Sequence, residues 1–93
     1  MYRVIVLYDQ EPDPDSYAEH VELCRRVPNA VFRHGNVTGA PMGDPKHAYF
    51  AEWEFADEDA FRHGTRSEEF MATGKDAYRR GFPQPTVEFV QLA

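Results

Sequence analysis

The chain has 93 residues, with ten Lys and Arg set against sixteen Asp and Glu, for a formal net charge of -6 at pH 7. That length holds one hydrophobic core, so residues 1–93 read as a single domain. The acidic balance argues against a protein that grips nucleic acid by its phosphates or docks on an anionic membrane, because each such contact needs a cation. Cys24 is the only cysteine, which excludes an internal disulfide and a cysteine-based zinc site. The apolar run from Val4 to Tyr8 is too short for a secretory segment or a membrane span, so a reducing cytoplasm is the expected compartment.

Residues Tyr2 to Tyr8 (YRVIVLY) are dense in β-branched and aromatic types and stop at DQEPDPD, which predicts a strand followed by a turn. Asp13 before Pro14 is a helix-start signal, and the pattern from Ser16 to Val27 is helical until Pro28 and Asn29 end it. Ala30 to Thr38 predicts a second strand, GAPMGDPK a loop, and His47 to Phe55 (HAYFAEWEF) a third strand. Asp57 opens a helical stretch that breaks near Gly64, restarts at the Ser67 cap and runs to about Arg80. After GFPQP, Thr86 to Leu92 is the last strand. The order βαββαβ predicts an α+β, ferredoxin-like fold: an antiparallel four-stranded sheet with two helices on one face.

That plan leaves the other sheet face uncovered. The first strand offers Tyr2, Val4, Val6 and Tyr8 on one side and Arg3, Ile5 and Leu7 on the other. The third offers Tyr49, Ala51, Trp53 and Phe55 against Ala48, Phe50, Glu52 and Glu54. A sheet with one wet face alternates cleanly between apolar and polar, and here both sides are substantially apolar. A homodimer that covers the second face is the expected assembly.

Wound at 100° per residue, the first helix gathers Tyr17, His20, Val21, Leu23, Cys24 and Val27 into one apolar arc. His20 thus points at the sheet, where an imidazole can act as a general acid or base near neutral pH. By residue type alone, a buried histidine satisfied by one hydrogen bond is the plainer account. Cys24, one turn away, reads as a small core residue. Tyr8, Tyr49 and Trp53 at strand spacing either line a pocket or fill the core. The remaining histidines, His34, His47 and His63, fall on separate elements without metal-ligand spacing, so no metal site is expected. On the last helix Phe70, Met71, Gly74, Ala77 and Tyr78 share a face, and the wheel sets Asp76 opposite, as a solvated charge. No dinucleotide fingerprint, Walker A motif or GxSxG is present.

Taken in order, YRVIVLYD, DPDSY, the run His20, Leu23, Val27, Pro28, the stretch FRHGNVTGAPMGDP with HAYFAEWEF, and ADEDAF with SEEFMATGKDAYRRGF resemble the EthD-like family of ethyl tert-butyl ether degradation. The resemblance spans nearly the whole chain and implies a dimeric α/β barrel of the ferredoxin-like superfamily. Counted back from Pro28, His20 falls at the family's helix-one histidine. Counted forward from Asp13 the chain reaches it early, which a first helix shorter by more than a turn accounts for. If instead His20 matches an upstream position, the family's functional position lacks a histidine. The resemblance also places an acidic residue where Asp76 stands.

Three readings follow. The leading one is a small, partly apolar organic ligand held between the first helix and the sheet. In it His20 moves a proton, Tyr17 or Tyr8 orients the ligand, and Trp53, Tyr49 and Asp76 contribute to the site. The chemistry would be isomerase-type or monooxygenase-type, with no cofactor. The second is a non-catalytic accessory module that supports a separate oxygenase. The third is haem binding through a histidine, as in some superfamily relatives.

Overall fold

The computed structural model describes all 93 residues, as β1 (Tyr2–Tyr8), α1 (Pro14–Cys24), β2 (Ala30–Asn36), β3 (Tyr49–Phe55), α2 (Glu58–Thr65), α3 (Glu68–Arg79) and β4 (Thr86–Gln91). The sheet order is β2-β3-β1-β4, with every neighbouring pair antiparallel. This is the ferredoxin-like arrangement, with three helices where two were expected. The second helical stretch divides at Ser67, whose Oγ donates to the Gly64 carbonyl at 2.6 Å and accepts from the Phe70 amide at 3.1 Å. One side chain thereby closes α2 and caps α3. Asp13 and Asp57 cap the other two helices by accepting from the amides of Ser16 and Ala60.

Register decides the core. Val4 lies opposite Trp53, Val6 opposite Ala51 and Tyr8 opposite Tyr49, and all six are buried on the helix side of the sheet. From α1, Tyr17, Val21 and Cys24 come down onto them. The Trp53 indole N–H donates to the Cys24 carbonyl at 2.8 Å, which satisfies one of the free carbonyls of the last turn of α1. α1 ends at Cys24, three residues sooner than its periodicity suggests, because turns through Val27 and Pro28 lead to Asn29 at φ 62.

The opposite sheet face carries Ile5, Leu7, Phe50 and Val90, all partly exposed. Among them Arg3 and Arg33 both pair with Glu52 and Glu54, and Glu52 is buried. This surface is apolar with an ion-pair lattice set into it.

Candidate functional site

Asp76 departs from its sequence reading. It is 2% exposed, not a solvated charge. The wheel sorted α3 by polarity, but the face that α3 turns inward runs through Phe70, Thr73, Asp76 and Arg80, while Met71 and Tyr78 lie exposed. Burial of a carboxylate needs partners, and Asp76 has three. Its Oδ2 receives His20 Nδ1 at 2.8 Å and Arg80 Nε at 2.7 Å, and its Oδ1 receives Arg79 Nη2 at 2.6 Å. Arg80 also donates to the Ser16 carbonyl, the Ser16 hydroxyl and Glu19, which ties the end of α3 to α1.

These contacts set the protonation states. Burial alone would raise the Asp76 pKa, yet hydrogen bonds from His20, Arg80 and Arg79 hold it down at about 2. Asp76 is therefore a carboxylate at neutral pH. Burial lowers the His20 pKa, and the Arg80 charge adds to that, against the opposing pull of Asp76. The ring is then neutral, with its proton on Nδ1 donated to Asp76. Nε2 is left with its lone pair, makes no hydrogen bond within the protein and is not sealed off. An orienting carboxylate behind a neutral imidazole is the arrangement that makes a histidine a general base.

His20 forms part of the wall of a cavity of about 330 Å³ between the sheet and α3. Val6 and Tyr8 from β1, Trp53 from β3, Phe70, Thr73 and Gly74 from α3, and Val87 from β4 complete most of the lining. Burial pushes the Tyr8 phenol up to about 12, with Cys24 and Tyr49 adding to it, so Tyr8 keeps its proton and has an O–H to donate near neutral pH. Cys24 is likewise pushed up to about 12 by burial and stays a thiol.

The structure brings His20, Tyr8 and Trp53 to one cavity, with Asp76 directly behind His20. It does not bring Tyr17 and Tyr49 there. Both line a separate pocket of about 180 Å³ with Glu11, His34 and Asn36, where His34 Nδ1 meets the Tyr49 hydroxyl at 2.6 Å. Tyr17 still touches His20 ring to ring, with centroids 5.2 Å apart, and burial raises its pKa strongly. Three contributors went unread in the sequence: Arg79, Arg80 and Phe82. The first two stand three and four residues after Asp76, the spacing at which a helix pairs opposite charges. Phe82 is placed by the end of α3. Gly81 takes φ 71, its amide bonds to the Tyr78 carbonyl, and the Phe82 amide bonds back to the Ala77 carbonyl. This Schellman turn folds the Phe82 ring onto Tyr17 and His20, at 5.5 and 5.3 Å. No three His, Cys, Asp or Glu side chains cluster as a metal site, and no helix is long and apolar enough to cross a membrane.

No protein-family model matches this chain, and no curated protein does either. Solved structures do. An EthD family protein from Bacillus halodurans is 27% identical over 100% of this chain and 99% of its own, with a TM-score of 0.79. This chain is similar to that EthD family protein over its whole length. A dimeric ferredoxin-like protein of unknown function from Jannaschia shares the fold at 14% identity and a TM-score of 0.71, over 98% of each chain. SnoaB, a cofactor-independent oxygenase from Streptomyces nogalater, shares it at 16% identity and a TM-score of 0.61, over 99% of this chain and 92% of its own.

Proposed function

We propose that this EthD-like protein binds a small, partly apolar organic molecule in the His20 cavity and moves a proton on it without a cofactor. The observation that carries the reading is a neutral His20 in the wall of a largely apolar cavity, fixed through Nδ1 by the Asp76 carboxylate and with no hydrogen bond to Nε2 within the protein. In the proposed step Nε2 takes a proton from a carbon next to a carbonyl, and the Tyr8 O–H donates to the oxygen on which the electron pair settles. Asp76 stabilises the imidazolium so formed. In an isomerisation the proton returns at another carbon. In an oxygenation the carbanion instead forms a C–O bond to dioxygen, the peroxide takes the proton back from His20, and loss of water leaves a new carbonyl on that carbon. Turnover of any ligand that copurifies with the protein tests the assignment. Native mass spectrometry of the untagged protein should show a reproducible adduct whose mass names the compound. The wild type should convert it and His20→Ala should not. Full activity in His20→Ala overturns the role of His20, and binding without conversion by the wild type selects an accessory, non-catalytic protein.

The homodimer belongs to the same proposal. Its support is the partly exposed Ile5, Leu7, Phe50 and Val90 on the uncovered sheet face, together with structural neighbours described as dimeric. Leu7→Arg is expected to convert a dimer into a monomer in the same spectra, because a cation would be buried at the centre of the contact. An unchanged dimer mass would show that the copies meet elsewhere.

A further inference from the structure

Beside the His20 cavity, across α3, lies a second groove of about 550 Å³, lined by Tyr78, Gly81, Phe82, Pro83 and Gln84. Gly74, Ala77 and Pro85 line both hollows, so they form a saddle between them. Gly74 lies well inside α3, where glycine is among the poorest residues for helix stability. Two needs usually account for such a glycine: a left-handed backbone or a neighbour too close for a side chain. Neither applies. Gly74 is not at positive φ, and a Cβ built on it meets no atom within 4 Å. The missing side chain leaves only open space, at a residue that lines both hollows.

We propose that Gly74 keeps open a passage for an elongated ligand, whose reacting end lies at His20 and whose flat apolar remainder crosses the saddle into the groove. This rests on the reading of the His20 cavity as a ligand site and adds a substrate class: conjugated or linked-ring molecules longer than one aromatic ring. The inner cavity is at the small end of the range for ligand pockets and holds little more than the reacting portion. The groove carries no charged side chain, and its apolar surface comes from Tyr78, Phe82, Pro83 and Pro85. Tyr78 is 89% exposed, so its ring contributes almost nothing to the core and is free to stack on a ligand. The groove floor is already held in shape, by the turn at Gly81 and by two prolines.

Phenol and 4-phenylphenol are the probes, titrated into isotope-labelled protein and followed by NMR. The Trp53 indole N–H reports on the inner cavity, and the Gly81 amide reports on the groove. In the wild type, 4-phenylphenol should bind about tenfold or more tightly than phenol, since its second ring is buried, and should shift both signals. Gly74→Leu should bring the two affinities within about twofold of each other by closing the saddle. Gly74→Ala should raise the thermal midpoint by roughly 4–8 °C, because it removes a helix-interior glycine at no steric cost. Undiminished binding of 4-phenylphenol by Gly74→Leu overturns the passage, while phenol shifts at Trp53 would leave the His20 site standing. Failure of both probes to bind the wild type overturns passage and site together. A lowered midpoint in Gly74→Ala also overturns the passage, since the glycine would then serve the fold.

Discussion

At Gly64, in α2, a Cβ would lie 2.3 Å from Cε1 of Phe55 and 2.9 Å from the carbonyl oxygen of Pro28, whereas at Gly74, in α3, it would meet nothing within 4 Å. The same residue type therefore answers opposite needs at the two ends of the helix layer. Around Gly64 the helix lies directly on a strand, and Phe55, fully buried, fills the space that a side chain would take. Around Gly74 the layer is left open, and its buried polar pair, His20 and Asp76, stands beside the opening. A domain this small has little core to spare, so an unfilled volume lowers its stability. Close packing around Gly64 and a largely apolar hollow beside Gly74, with His20 in its wall, divide the molecule into a tightly filled part and an open one.

The sharpest way to break that division is Asp76→Asn. An amide can donate to Nδ1 of His20, which favours the tautomer with its proton on Nε2 and removes the base. The expected loss in kcat/KM is about 10⁴-fold, on the scale of other orienting carboxylates. The pH profile separates this from mere structural damage. Asp76 raises the His20 pKa against burial, so its loss lets that pKa fall further. His20 must be neutral to accept a proton, and the acid limb of the profile should move to lower pH. A lost rate with an unmoved limb would sink the proposed pairing. Acid unfolding supplies a second readout. The folded-state pKa of Asp76 is depressed to about 2 from 3.8, so its stabilisation is present above pH 4 and is lost as pH falls towards 2. The wild type should lose about 2 kcal/mol over that window. Asp76→Asn should lack this segment of the curve.

The packed end was largely legible in the sequence, and the open end only half so. β1 and β3 announce themselves by β-branched and aromatic density, and the caps at Asp13, Asp57 and Ser67 by chemistry that acts within three residues. His20 was legible as an inward residue because helical periodicity alone places it among Tyr17, Val21 and Cys24. Asp76 was not, because a polarity wheel turns any carboxylate outward. Its burial depends on His20, 56 positions earlier in the chain, as well as on Arg79 and Arg80 close by. Tyr17 and Tyr49 show the matching limit. Strand and helix spacing turned both inward, but the choice between two neighbouring pockets is made by the sheet edge and by the loop carrying Glu11, which no local period encodes. Phe82 depended on a left-handed Gly81, a turn whose sequence sign, GF after YRR, was present and went unread.

Gly64→Ala is expected to act less strongly than Asp76→Asn, and its value lies in its sign. The new methyl group would overlap the Phe55 ring and a backbone carbonyl, neither of which has room to retreat. Overpacking of this kind costs about 3 kcal/mol, and the gain in helix propensity returns about 1 kcal/mol of it. Thermal unfolding should therefore shift down by roughly 8–16 °C for a chain of this size. Binding at the His20 cavity, measured well below that midpoint, should change by no more than about twofold, because α2 contributes only Thr65 to its wall. The identical substitution at Gly74 is expected to raise the midpoint and weaken the longer ligand. Opposite signs from one chemical change would separate the two ends of the layer by physical cause, close contact at α2 and deliberate vacancy at α3. Equal signs would mean that both glycines answer to packing, and the hollow beside His20 would then lose its claim to be a built site.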